Sequence, residues 1–155
     1  MKKILLVLPL LILSGCSFNI RNITSVIEIN NNNCRIIKER DTHGGFLGDG
    51  EFYAEIRCKN INLEELSSNW KKMPLSKSLN DITEMVWCDY NKCGNLYEKY
   101  DIPNVNNGYY FFLDRHSDSK DKYDSTDLNN RSSYNFTLAM YDDESKIIYY
   151  YELDT

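Results

Sequence analysis

Ten residues, Asp41-Thr42-His43-Gly44-Gly45-Phe46-Leu47-Gly48-Asp49-Gly50, hold four of the chain's seven glycines and one of its two histidines. Strand-like apolar runs flank them, Cys34-Arg35-Ile36-Ile37 before and Phe52-Tyr53-Ala54-Glu55-Ile56 after. Glycine serves where the backbone needs a positive φ or must let another group come close. This density therefore specifies a backbone shape, and a shaped connection between two strands constrains this part of the chain to a hairpin.

The rest of the chain reads as further strands with a few helical turns. Ser25 to Ile29 is expected as a first strand, and Asn30 to Asn33 as a turn, because Asn tolerates left-handed backbone and bonds its own main chain. A strand from Cys34 to about Arg40 leads into the glycine loop. A second runs from Glu51 to Cys58, where Phe52, Ala54 and Ile56 alternate with Tyr53, Glu55 and Arg57, so that one face is buried. Asn62 to Trp70 reads as a helix with Asn62 as N-cap and Leu63, Leu66 and Trp70 as its apolar stripe. Residues 81–88 fit helix or strand equally well, and Asn91 to Tyr100 reads as irregular with one helical turn. Asn106-Asn107-Gly108 signals a turn before Tyr109 to Leu113, a central strand apolar on both faces. Asp118 to Arg131 is the longest loop. Tyr134 to Tyr141 and Lys146 to Leu153 form a hairpin across Asp142-Asp143-Glu144-Ser145. Strands joined mostly by short turns imply an α+β fold, an antiparallel sheet of hairpins or meander with one or two short helices on one face. A single domain over 25–155 follows.

Met1-Lys2-Lys3 is basic, and Ile4 to Leu13 is an apolar run of about ten residues, where a bilayer span needs ~20. Leu13-Ser14-Gly15-Cys16 follows. These sixteen residues resemble the signal of bacterial lipoprotein precursors, in which the segment before the cysteine is cleaved and Cys16 receives lipid. An ordinary secretory signal and an N-terminal membrane anchor are the competing readings. Acyl chains anchor by burying CH₂ groups at ~0.8 kcal/mol each. Residues 17–24 would then be a tether at the extracytoplasmic face of the cell membrane. Without residues 1–15 the chain carries 16 basic and 23 acidic side chains, net −7. That balance argues against nucleic acid as partner and against polybasic docking on anionic lipid.

Cys34, Cys58, Cys88 and Cys93 remain, an even set that permits disulfides in an exported protein, with three connectivities. Cys34 and Cys58 sit at the outer ends of the strands flanking the glycine loop, where hairpin partners face each other. Cys88 and Cys93 are spaced to close a small ring. Free thiols are the alternative in both cases.

Two motifs pair histidine with aspartate at strand ends: Asp41-Thr42-His43 and Asp114-Arg115-His116. If these ends share a rim, His43, His116, Asp41, Asp49 and Asp114 converge. Such a set has three uses: His43, His116 and Asp49 as metal ligands, a histidine oriented by Asp41 or Asp114 as general base, or backbone N–H groups at Gly44 and Gly45 binding an anion with Arg115, beside Asp49. The structural alternative is that the aspartates cap turns and Arg115 pairs with an acid. No P-loop, Gly-x-Ser-x-Gly or His-Glu-x-x-His occurs, so no established catalytic motif is present; no cofactor is expected. Twelve tyrosines are many. Those at 109, 110 and 149–151 fall on strands and point to both sides, so some form an exposed face suited to peptide or glycan unless helices cover both faces.

The glycine loop, Trp70-Lys71-Lys72-Met73-Pro74-Leu75, Asn107-Gly108-Tyr109-Tyr110, Asp114-Arg115-His116-Ser117, Asn135-Phe136-Thr137-Leu138-Ala139 and Tyr151-Glu152-Leu153-Asp154-Thr155 together resemble a group of small uncharacterised lipoproteins of Gram-positive bacteria, chiefly clostridia and relatives. The resemblance implies a compact domain and a bacterial source and brings no catalytic role. The Cys88 and Cys93 pair is not part of the group's pattern. The expectation is an anchored domain that binds a protein or small ligand. The alternative is a metal-dependent or His/Asp hydrolase using His43 and His116.

Overall fold

The computed structural model describes residues 19–30, 33–44, 48–88 and 92–155. Cys16, Gly45 and the expected signal segment lie outside these residues. The elements are α1 (Ile20–Val26), β1 (Cys34–Asp41), β2 (Gly50–Cys58), α2 (Leu63–Asn69), β3 (Lys71–Lys72), α3 (Lys77–Glu84), β4 (Trp87–Cys88), β5 (Cys93–Gly94), α4 (Leu96–Tyr100), β6 (Gly108–Asp114), β7 (Asn135–Asp142) and β8 (Ile147–Asp154). Six strands form one sheet in the order β1-β2-β8-β7-β6-β3, and β4 pairs with β5 in a small separate ladder. Every pairing is antiparallel. The fold is α+β with the sheet dominant. The C-terminal strand lies at its centre, between β2 and β7.

The helices divide between the two faces of the sheet, where the sequence led us to expect one or two on a single face. Ile23 and Ile27 at α1, with Leu66 and Trp70 at α2, pack on Phe52, Ala54, Ile56, Phe111, Ala139, Ile148 and Tyr150. Leu79 and Ile82 of α3, with Leu96 and Tyr100 of α4, pack on Tyr53, Tyr110, Phe112, Leu138, Tyr149 and Tyr151. The cause lies in the strands. Residues of both parities in β6, β7 and β8 are large and apolar, so each face has surface to bury, worth about 25 cal/mol per Å². Tyr53, expected on the outer face of β2, is wholly buried because α4 covers it and Tyr100 stacks on its ring at 4.4 Å. The tyrosines of β8 are likewise buried, so no exposed tyrosine face forms there.

Residues 20–26, expected as tether and strand, are helical. Asn19 caps α1 by accepting the Arg21 N–H at 3.1 Å, and the Trp70 indole donates to the Ile27 carbonyl at 2.9 Å. Their β-branched residues favour strand only weakly, and burial of Ile23 and Ile27 overrides that preference. Residues 81–88, which fitted either state, divide into the end of α3 and β4. The polar run 91–100 hides a capping box: Asn95 accepts the Glu98 N–H, and Glu98 accepts the Asn95 N–H. The long loop at 118–131 is pinned by Leu128, which is fully buried, and by Tyr123, whose hydroxyl donates to the Asn69 carbonyl.

Cys34 faces Cys58 across the β1–β2 ladder and is bonded to it. Cys88 faces Cys93 across β4–β5 and is bonded to it.

Candidate functional site

Strand register gathers the singled-out residues at one end of the sheet. Asp41 pairs with Phe52, Gly50 with Asp154, Asn135 with Asp154, and Asp114 with Phe136. Thr42 closes the hairpin there. Its N–H donates to the Glu51 carbonyl at 2.9 Å, and its hydroxyl accepts the Glu51 N–H at 2.9 Å.

His43 is held on both sides. Asp41 Oδ1 accepts the His43 backbone N–H at 2.9 Å and lies 2.7 Å from Nδ1 of the ring. Nε2 lies 3.2 Å from Asp154 Oδ2. The other oxygen of Asp154 accepts from Arg115. Arg115 also donates to Thr137 Oγ1 and reaches Glu152 Oε1 at 3.4 Å. Thr137 donates to Glu152 at 3.2 Å, and the Tyr150 hydroxyl donates to the same oxygen. Burial first, and then the Glu152 charge, raise Tyr150 far above the ordinary phenol range, so it stays a donor. The glycine loop is thereby tied through one chain of charged bonds to β8, β7 and the end of β6.

The opposite face of the sheet carries a second network. Glu51 Oε1 pairs with Lys99 Nζ at 2.6 Å, and Oε2 accepts the Tyr100 hydroxyl at 2.5 Å. Both charged side chains are almost fully buried, Lys99 at 1% exposure and Glu51 at 8%. Burial, then the Glu51 charge, keep the Tyr151 hydroxyl protonated beside them.

Beside these lies an open cleft of about 600 Å³, lined by Thr42, Asp49, Glu51, Trp87, Leu153 and Asp154, among others. Trp87 and Leu153 are its apolar walls. Asp49 adds an exposed carboxylate.

The candidates separate on this geometry. His43, Asp41 and Arg115 join one network through Asp154. Asp114 stands apart: it accepts the His116 N–H at 3.0 Å and contacts Arg131 Nη2 at 2.8 Å, a charge contact without hydrogen-bond alignment. His116 is exposed. No group of three or more His, Cys, Asp or Glu side chains among the described residues is placed to hold a metal ion. Gly44 is exposed, and a Cβ there would meet nothing nearer than the Thr42 carbonyl at 3.9 Å. Sequence reasoning missed Asp154 as the His43 partner, and Glu51, Lys99 and Trp87. The Asn95 and Glu98 capping spacing was the one available signal for a helix able to deliver Lys99.

His43→Ala is expected to cost about 1 kcal/mol, the scale of part-exposed polar bonds. His116→Ala is expected to stay within about 0.5 kcal/mol. Urea unfolding of the two variants checks this; equal losses would mean that the His43 contacts with Asp41 and Asp154 add nothing to stability.

The chain matches no family model, no curated protein and no solved structure.

Proposed function

We propose that this chain is a lipid-anchored bacterial protein displayed on the extracytoplasmic face of the cell membrane, where its domain binds a partner or small ligand without turning it over. The observation that carries the reading is that all four cysteines after Cys16 are paired. Disulfides persist in oxidising compartments outside the cytosol, which fits the lipoprotein-like Leu13-Ser14-Gly15-Cys16. The binding surface is the cleft, whose Trp87 and Leu153 walls and Asp49 carboxylate suit an apolar body bearing a cationic or hydroxyl group. A hydrolase built on His43 and His116 draws less support, because carboxylates engage both ring nitrogens of His43 and Asp154 is in turn held by Arg115.

Cells expressing the full chain or Cys16→Ser, fed an alkyne fatty acid, test the anchoring. The expected result is a labelled, membrane-pelleting protein that external protease removes from intact protoplasts, with label and pelleting lost in Cys16→Ser. An unlabelled, protease-protected wild-type chain would refute the reading.

A further inference from the structure

The two disulfides sit in different surroundings. Cys34–Cys58 lies in the main sheet, and Cys58, 6% exposed, packs in the cluster formed with Ile27, Ile56 and Leu66. Cys88–Cys93 joins two strands of two residues each, outside the main sheet, and both of its cysteines are exposed. Cys88 also lines the cleft beside Trp87, Asp49 and Leu153. The residue before Trp87, Val86, is 68% exposed, well above Val26, Ile37 and Leu63. An apolar contact point thus adjoins a sulfur that solvent and solutes reach.

We propose that Cys88–Cys93 is a thiol-exchange site, with Cys88 Sγ as the sulfur that an incoming thiol attacks from the cleft. Exchange rate depends on access to the attacked sulfur, and exposed disulfides are the labile ones. The thiolate of the incoming thiol forms a new S–S bond to Cys88, the Cys88–Cys93 bond breaks, and Cys93 leaves with the electron pair and takes a proton from water. A second thiol attacks the mixed disulfide and releases Cys88. The net result is two thiols oxidised to one disulfide and Cys88 and Cys93 reduced to thiols. The Cys34–Cys58 bond, shielded on the Cys58 side, serves as structure. Opening Cys88–Cys93 also frees β4 from β5, and Trp87 reports it, since its ring packs edge-on against Tyr134 at 5.4 Å.

The test uses the full chain in non-denaturing detergent, incubated with graded reduced glutathione, alkylated with iodoacetamide and mapped by mass spectrometry. Cys88 and Cys93 should be alkylated at about one-tenth or less of the thiol concentration that opens Cys34–Cys58. At limiting glutathione the adduct should sit on Cys88, with a change in tryptophan fluorescence and an unchanged far-ultraviolet sheet signal. A parallel arm replaces glutathione by a short cysteine-containing peptide. Reaction with the peptide alone assigns the site to protein thiols, and reaction with glutathione alone assigns it to small ones. With its partner replaced, Cys88 of the Cys93→Ser chain should capture oxidised glutathione faster than Cys93 of the Cys88→Ser chain. Opening of both disulfides at the same thiol concentration, opening of Cys88–Cys93 only on denaturation, or faster capture by Cys93 would overturn the proposal.

Discussion

Lys99→Met is expected to destabilise the protein by roughly 3–5 kcal/mol, the cost of removing one partner from a buried ion pair. The ammonium is 1% exposed and sits 2.6 Å from Glu51 Oε1. Its removal leaves the Glu51 carboxylate under α4 and against β8, with neutral donors beside it, the Tyr100 hydroxyl at 2.5 Å and the Tyr151 hydroxyl. Neutral phenol donors offset only part of the desolvation cost of a charge. Methionine fills the space of the lysine stem, so the loss measures charge and not a cavity. The double variant Glu51→Leu/Lys99→Met should recover most of the stability, because an apolar pair of similar volume often equals or exceeds a buried ion pair. Urea unfolding gives the free energies, and thermal unfolding should show a drop of roughly 10–15 °C for Lys99→Met. A loss below about 1 kcal/mol would mean that water reaches Glu51 in solution and that this network does not fix α4 to the rim of the cleft.

The position of that network explains which parts of the molecule were legible in the sequence. Local patterns were readable. The terminal hairpin shows two strand-like runs, Tyr134 to Tyr141 and Lys146 to Leu153, around an acidic turn. Asn62 announces α2, and it accepts the Glu64 and Glu65 N–H groups as an N-cap does. The equal spacing of Cys34 and Cys58 from the glycine loop reads directly as a cross-strand pair. Features set by tertiary packing were not readable. The β-branched residues of α1 are helical because Trp70 and the sheet hold them, and nothing within residues 20–26 says so. Arg115 and Asp154 are 39 residues apart and meet only because β8 enters between β2 and β7. Glu51 reads as a surface acid at a strand start until α4 covers it. In the candidate site, the sequence identified the loop and His43 but not the acid on the other side of the ring. Residue type marks polar candidates, whereas strand order decides which of them meet.

Gly50→Ala should cost about 3 kcal/mol, at the upper end for overpacking, and should reach well beyond the glycine itself. A Cβ at residue 50 would lie 2.5 Å from His43 Cα, 2.6 Å from His43 N and 2.9 Å from the Thr42 carbonyl carbon. All three are backbone atoms, so no side-chain rotation relieves the contact. Residues 42 and 43 must move, which loosens both Thr42 bonds to Glu51 and shifts His43 away from Asp154. Gly44→Ala is the matched control in the same loop. Its Cβ meets only the Thr42 carbonyl at 3.9 Å, so its effect should stay within about 0.5 kcal/mol. Urea unfolding separates the two. Hydrogen exchange of the Thr42 and Glu51 amides, which bond each other's residue across the hairpin base, should accelerate in Gly50→Ala and stay unchanged in Gly44→Ala. Similar losses in the two variants would mean that the loop uses its glycines for flexibility. A large loss at residue 50 alone would mean that close backbone packing there shapes the connection, and that Asp41, His43 and Asp154 hold their geometry because Gly50 has no side chain.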